Sequence, residues 1–499
     1  MLTQPWLKNS YLVSIRLAAS LNATNPCTGE HSLLGIFLRY APVQIFSALS
    51  VFALISIQTR FLDPSEYGLL AVSVVLLELV RTVCTQWLNT SMLRLYPGAS
   101  DDVANGLISN IFFMTLVSTF VSVFILTAVL FFYTPFVWEF YLCLVVLLGA
   151  KSIFQFNVDY ARLSDNYRGY VLATLFQSLF SVLFTVTLLL VYETLASAVL
   201  GLALSYLAGL YWVNHAVKPQ IYVNKAKEIA SYGIPLMLSG GIALLYSRAD
   251  RLIMPKFLPL EDVGIYAAQA NLIAGVMALV FMIVALPLYP ALTKVSNDRT
   301  ELSKKHQQYL TYLLFVSLPS LVALCVMNVQ IADLFLGEKY SKTSPILFIV
   351  LALSFYLINL RQHYIDHGLQ FLLKTTYLIP ISTVAVLMTF ASLPFMLYYF
   401  GLNGAAFTIL LVSFAASVLS LFVAFIFGYR FVVGVDAIKI LLSATLMALL
   451  MYAFSKIGSD VSSFYLLFMN VVASAAFYLV TCFVLNVANC RAKLKNIFS

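Results

Sequence analysis

The chain has 499 residues, of which 62% are hydrophobic and only 10% are charged. Soluble domains are on average about half apolar and about one quarter charged, so this composition excludes a water-soluble fold. The net charge of +8 is spread along the chain without a contiguous basic patch, which argues against a nucleic-acid-binding surface.

Apolar runs of about 20 residues, the length that crosses the hydrocarbon core as a helix, predict about fourteen membrane-spanning helices. Their approximate limits are 36–59, 68–96, 106–133, 136–157, 168–191, 195–217, 232–257, 264–291, 307–329, 343–365, 375–399, 402–427, 434–456 and 462–487. With the N-terminus inside, about twenty basic residues lie on the cytoplasmic side and about five outside, as the positive-inside rule requires. Both termini are therefore predicted to be cytoplasmic.

A repeat relates the two halves of the chain. Residues 60–71 (RFLDPSEYGLLA) align without gaps to residues 256–267 (KFLPLEDVGIYA), with Phe, Leu, Gly and Ala identical. One span later, Tyr96-Pro97 is matched by Tyr289-Pro290. Each motif follows the first span of a six-span unit, and both units start inside, so the repeat is parallel. Chance similarity between two loops is the alternative interpretation.

The predicted fold is therefore an all-α integral membrane protein of two parallel six-helix bundles plus two C-terminal helices. The expected divisions are a cytoplasmic N-terminal tail (1–34), an N-terminal bundle (35–217), a cytoplasmic linker (218–231), a C-terminal bundle (232–427), two additional transmembrane helices (428–487) and a basic cytoplasmic tail (488–499).

Several segments of the second half resemble a known transporter family. They are PLMLSG at 235–240, SRADRLI at 247–253, FL at 257–258 and VGIYAA at 263–268. These segments resemble the polysaccharide transporter family, which includes O-antigen and capsule repeat-unit flippases and belongs to the multidrug/oligosaccharidyl-lipid/polysaccharide exporter superfamily. The two additional spans depart from the commoner twelve-span members, whereas fourteen spans also occur in the related lipid II flippases.

Two oppositely charged side chains lie in the middle of the second predicted span. Glu78 and Arg81 are three residues apart, on one face of a helix. A charge at the bilayer centre costs at least about 2.5 kcal/mol, so it normally faces a partner or a water-filled cavity. We expect a near-neutral ion pair, which either joins helices or lines a cavity. Lys151, in the cytoplasmic third of the fourth span, either lines a cytoplasmic vestibule or snorkels to the interface.

A second group of charges lies on the outer part of the seventh span. Arg248 and Arg251 are three residues apart, and Asp250 projects about 100° from Arg251. Two cations with one acid leave a net positive face, which suits a diphosphate because arginine donates in a planar fork. The alternative is that Arg251 snorkels to the outer interface and Asp250 pairs with it.

These charges supply the candidate site residues. Arg248, Arg251, Arg81 and Lys151 are predicted to bind substrate, and Glu78 and Asp250 to serve in coupling or ion pairing. Five other ionisable residues lie near the inner ends of predicted spans, and we expect them at the membrane–water interface. They are Arg39, Arg361, His363, Asp366 and His367. The six cysteines have no metal-ligand spacing, and neither a metal nor a cofactor is expected.

The resemblance implies a secondary-type transporter and not an enzyme. Its expected activity is alternating-access translocation of undecaprenyl-diphosphate-linked oligosaccharides across the bacterial cytoplasmic (inner) membrane for O-antigen, capsule or exopolysaccharide synthesis. Expected partners are the lipid-linked glycan, membrane lipid, a coupling proton or sodium ion, and polysaccharide polymerase and chain-length proteins. The runner-up is a lipid II-type flippase; a drug/cation antiporter or a membrane glycan polymerase is a weaker alternative.

Overall fold

The computed structural model describes residues 33–97, 101–135, 137–213, 217–341, 344–457 and 463–491. All regular structure in these ranges is helical. A helix satisfies its backbone N–H and C=O groups internally, as the hydrocarbon core requires, and the predicted all-α membrane fold is confirmed. Most of both predicted tails lies outside the described residues.

The first half forms one set of packed helices. They are α1 (Leu33–Phe61), α2 (Pro64–Arg81), α3 (Trp87–Leu95), α4 (Asp101–Tyr133), α5 (Trp138–Leu163), α6 (Tyr167–Val191) and α7 (Leu195–Leu210). A π-helical turn, Thr82–Gln86, joins α2 to α3, so these segments make one continuous span.

The second half begins with α8, which starts inside the stretch predicted as the linker. The helices are α8 (Val223–Ile253), α9 (Leu260–Thr293), α10 (Arg299–Val326), α11 (Asn328–Phe335), α12 (Glu338–Ser341), α13 (Pro345–Leu360), α14 (Asp366–Phe371), α15 (Leu378–Ile426), α16 (Val435–Ile457) and α17 (Ser463–Val484). A second π-helical turn, Arg361–Ile365, joins α13 to α14.

Eleven helical segments in the described part of the chain are long and apolar enough to cross a membrane. The longest, Thr375–Ile426, has 52 residues and leaves helical geometry at Gly401, where φ is 54° and ψ is −136°. That break falls between the eleventh and twelfth predicted spans. Two shorter apolar helices, Leu195–Leu210 and Phe468–Val484, lie at the sixth and fourteenth. The number of crossings and the side of the termini stay predictions.

The two copies of the repeat motif pack against each other where α2 meets α9. A Cβ atom added to Gly68 would lie 2.1 Å from the carbonyl oxygen of Leu260, and one added to Gly264 would lie 1.8 Å from that of Pro64. Pro64 and Leu260 occupy the same motif position, four residues before each glycine. This reciprocity is the signature of a two-fold relation between contacting surfaces, and it favours duplication over chance similarity.

The acidic positions of the motif lie at helix N-termini. Pro64 is the first residue of α2, and the Glu66 carboxylate accepts a hydrogen bond of 3.0 Å from the backbone N–H of Asp63. Glu261 and Asp262 lie in the first turn of α9. Negative charge is stabilising there because the unpaired N–H groups of the first turn carry partial positive charge. The motif therefore sets where both helices begin.

The two additional helices pack on the second half, against α10. The tyrosine hydroxyl of Tyr478 on α17 donates to the carbonyl oxygen of Phe315 at 2.9 Å. A small hydrophobic core formed with these two helices includes Met327, Ile440, Ala444, Met447 and Met451.

Candidate functional site

Glu78, Arg81 and Lys151 come together between α2 and α5. Arg81 Nε donates to Glu78 Oε2 at 2.9 Å, and Lys151 Nζ donates to the other carboxylate oxygen. The three side chains are 21%, 11% and 25% exposed, respectively. The expected pairing of Glu78 with Arg81 is present. The expected near-neutral charge is wrong, because Lys151 from another helix makes it two cations around one acid.

The π-helical turn after α2 gives Arg81 a further partner. Arg81 Nη2 donates to Gln86 Oε1 at 3.2 Å, and the Thr82 hydroxyl donates to the same oxygen at 3.0 Å. A residue five positions along an α-helix points away from the first, whereas a π-helical turn bonds residue i to i+5. Sequence periodicity therefore missed Gln86.

The polar face of α5 continues beyond Lys151. Gln155 Nε2 donates to Asp159 Oδ2 at 3.1 Å, and Arg162 lies 3.6 Å from the other carboxylate oxygen. Lys151, Gln155 and Asp159 are spaced by four residues and share one helix face. Lys151 therefore begins a polar stripe along α5, and its Nζ lies 5.7 Å from the ring centre of Tyr206; its place in a vestibule stays a prediction.

Arg248 connects the two halves through a neutral amide. Its Nη1 donates to Asn271 Oδ1 at 3.0 Å, and Asn271 Nδ2 donates to the hydroxyl of Tyr67 at 3.3 Å. Tyr67 belongs to the repeat motif of the first half, one residue before Gly68. Arg248 therefore lies beside the interface where the halves meet, and its partner is not a carboxylate.

The pairing of Asp250 with Arg251, the alternative interpretation of this group, is absent from the structure. Asp250 accepts a hydrogen bond of 2.6 Å from the hydroxyl of Tyr266, and both residues are buried. Arg251 is 3% exposed and its Nε has no hydrogen-bond partner in the described part of the chain. Snorkelling of Arg251 is also wrong, since protein atoms surround it. The Tyr266 partner could have been suspected because it lies in the motif itself.

The placement of Arg361, Asp366 and His367 at a helix-end interface is wrong. They are 4%, 7% and 4% exposed, because Tyr246 on α8, Tyr289 on α9, His306 on α10 and Ser420 on α15 pack around them. Arg361 Nε lies 3.6 Å from Asp366 Oδ2, and Ser420 donates to Oδ1 at 2.6 Å. The side chain of Arg39 lies outside the described residues.

His306 on α10 lies in the same polar core. Its Nδ1 is 2.7 Å from the hydroxyl of Tyr429, and its ring centre lies 4.4 Å from Tyr364 and 5.7 Å from His367. The hydropathy boundary at residue 307 places His306 just outside the ninth span. Over the described ranges, no group of three or more His, Cys, Asp or Glu side chains is arranged to hold a metal ion.

The two candidate groups have the same charge composition. Each contains two cations and one acid, which corrects the expectation of a near-neutral first half and a basic second half. Arg81 and Arg248 also each donate to a side-chain amide oxygen, of Gln86 and Asn271. A phosphate oxygen is a stronger acceptor for a guanidinium than a neutral amide is, and substrate binding by the two arginines stays a prediction.

The chain is similar in sequence to one protein family and in fold to solved membrane transporters. A family model described as "Polysaccharide biosynthesis protein" matches residues 57–345. No curated protein matches the sequence. The fold is similar to a structure of "Lipid II flippase MurJ, inward closed conformation", with a TM-score of 0.74 and 12% identity, covering 90% of this chain and 98% of that one.

Two multidrug transporters are also similar in fold. An inward-facing MATE family transporter of the MOP superfamily gives a TM-score of 0.57 and 12% identity, covering 76% of this chain and 94% of that one. The MATE multidrug transporter DinF-BH gives 0.51 and 13%, covering 80% and 96%. At these identities the similarity concerns the fold alone.

Proposed function

Because the chain belongs to the polysaccharide biosynthesis protein family, whose model covers more than half of it, we propose that it flips undecaprenyl-diphosphate-linked oligosaccharide repeat units. The proposed location is the bacterial cytoplasmic membrane, and the proposed products feed O-antigen, capsule or exopolysaccharide synthesis. Transport proceeds by alternating access between the two halves.

The physical task is to carry a diphosphate and a glycan through hydrocarbon. Unpaired polar groups are costly in an apolar medium, and charges more so, whereas the polyprenyl tail can stay in lipid. A path between the two halves therefore has to offer hydrogen-bond donors and positive charge. The π-helical turn after α2 packs closely against α8 of the second half, since the side chain of Thr82, next to Arg81, would lie 3.2 Å from a Cβ added to Gly240.

The environment of Arg248 supports this proposal most directly. Arg248 is half-buried within a predicted span, and its hydrogen-bond partner is the neutral amide of Asn271. A cation whose hydrogen bond goes to a neutral amide inside a membrane is costly. An incoming diphosphate adds negative charge to a group of two cations and one acid, and the planar guanidinium matches its oxygens.

Measurement of surface glycan in cells that produce the Arg248→Ala variant tests the proposal. Loss of a charge-assisted hydrogen bond costs about 1.5 to 3 kcal/mol, which corresponds to a reduction of roughly tenfold to a hundredfold in substrate affinity. Arg299→Ala is the matched control, since Arg299 is exposed at the start of α10. Normal surface glycan at equal protein amounts in both variants refutes the role of Arg248.

A lipid II-type precursor is the second candidate substrate, favoured by the similarity to the MurJ fold over 90% of this chain. Complementation distinguishes the two. Growth of cells depleted of their lipid II flippase supports the second candidate, whereas restored surface glycan in a strain lacking a repeat-unit flippase supports the first.

Glu78 and Asp250 are the proposed acids for proton coupling. Glu78 is engaged by two cations, while Asp250 has the neutral partner Tyr266, so protonation of Asp250 separates no ion pair. We therefore place coupling at Asp250 first. Transport by Asp250→Asn at the wild-type rate, with unchanged pH dependence, contradicts this assignment.

A further inference from the structure

A short segment of the second half lies against the first half next to the Gly68 and Gly264 contact. This segment, residues 334–340, runs from the end of α11 into α12. Arg60 Nη2 donates to the carbonyl oxygen of Leu334 at 2.8 Å, and the Tyr340 hydroxyl donates to that of Leu62 at 2.8 Å. Both bonds join residues that are more than 270 positions apart in the chain.

Three further contacts fix the same segment. The backbone N–H of Gly337 donates to the Thr59 hydroxyl at 3.2 Å, and a Cβ on Gly337 would lie 2.1 Å from the Thr59 carbonyl oxygen. Lys339 forms an exposed ion pair with Asp63. Its hydrogen bond to this carboxylate raises the pKa of Lys339 above its ordinary value.

Two aromatic rings complete the contact. Tyr340 is fully buried, and its ring packs edge-on against Tyr67 with centres 5.7 Å apart. Gln269 on α9 donates to the Tyr340 carbonyl oxygen at 3.1 Å, so the segment is held by its own half as well. It therefore stays with the second half if its contacts to α1 and α2 are broken.

We propose that residues 334–340 are a latch that holds the two halves together at their predicted outer end, and that the latch detaches when this end opens. The contacts across the halves are mainly side-chain hydrogen bonds to main-chain oxygens and one exposed ion pair, which water can replace when they separate. The latch deepens the proposed function, since alternating access requires one end to open, but its detachment can be measured without substrate.

The test uses full-length purified protein in detergent, with the native cysteines replaced and Val72→Cys as reporter. Val72 is 1% exposed and lies one helical turn after Gly68, on the face toward α9. A maleimide reacts with the introduced thiol only when the halves separate there. Lys339→Glu places like charges opposite Asp63, and we expect the labelling rate to rise about fivefold or more as the open population grows.

Lys305→Glu is the matched control, because Lys305 pairs at 2.8 Å with Glu301 on its own helix. It should leave labelling unchanged. Adding Asp63→Lys to Lys339→Glu restores an ion pair and should return labelling to the starting rate. Tyr340→Phe keeps the buried ring but removes the hydrogen bond to Leu62, and should also raise labelling.

Equal labelling of the starting protein, Lys339→Glu and Tyr340→Phe overturns the latch. So does a rise in Lys305→Glu, or a rise that the charge swap does not reverse. A working latch in a protein that moves no lipid-linked glycan would instead refute the proposed function and leave this inference standing.

Discussion

Replacement of Glu78 by Gln tests how the charged group between α2 and α5 is stabilised. The change preserves shape but leaves Arg81 and Lys151 facing each other without an acid. At the observed 2.9 Å between Arg81 and Glu78, the Coulomb energy at an effective dielectric constant of 20 is about 6 kcal/mol before desolvation. Breaking a buried pair costs about 3 to 5 kcal/mol. Since these side chains are partly exposed, we expect about 2 to 3 kcal/mol.

Thermal unfolding of the purified variants in detergent measures this loss. The double variant Glu78→Gln with Lys151→Met removes one cation together with the acid, so it should recover more than half of the stability lost by Glu78→Gln alone. Such non-additivity is expected for groups in one network. A single variant as stable as the wild type, or a double variant whose losses simply add, refutes this account of the cluster.

Three further changes have defined outcomes. Gly264→Ala forces a methyl group into a backbone oxygen and should destabilise the protein by about 1 to 3 kcal/mol. Gly149→Ala is the control, because open space surrounds its Cβ position, and it should be neutral or stabilising. The thermal unfolding midpoints of the two variants test this difference. Tyr266→Phe removes the donor to the Asp250 carboxylate and should cost about 1.5 to 3 kcal/mol in the same assay, a loss that Asp250→Asn should not add to. Tyr478→Phe should cost about 0.5 to 1.5 kcal/mol and raise protease sensitivity of the two additional helices; unchanged sensitivity contradicts that anchoring.

Sequence reasoning predicted the helices well because each apolar run has to satisfy its own backbone. The sequence predicts a boundary at Gly401 within a continuous 52-residue segment, because Gly401, Asn403 and Gly404 interrupt the hydropathy there. The repeat was also readable, because residues 60–71 and 256–267 align without gaps and share four identical residues. Both features are local in sequence.

The site was less predictable because its contacts are long-range. Lys151 meets Glu78 across 73 positions and Arg248 is joined to Tyr67 through Asn271; neither spacing is periodic. The interface placement of Arg361 fails because its partner Asp366 is itself bound by Ser420, which lies 54 positions later in the chain. The positions of ionisable residues could be read from the sequence, but their partners required the fold.

The reciprocal contact of Gly68 and Gly264 bears on how a duplicated chain can diverge. A side chain at either glycine would strike the main chain of the other copy, so a substitution in one half cannot be accommodated by changing a side chain in the other. Both copies are thus held to the same residue at this crossing while their other motif positions drift apart, as Asp63 and Pro259 have done. The crossing is therefore where the two halves are least free to differ in sequence.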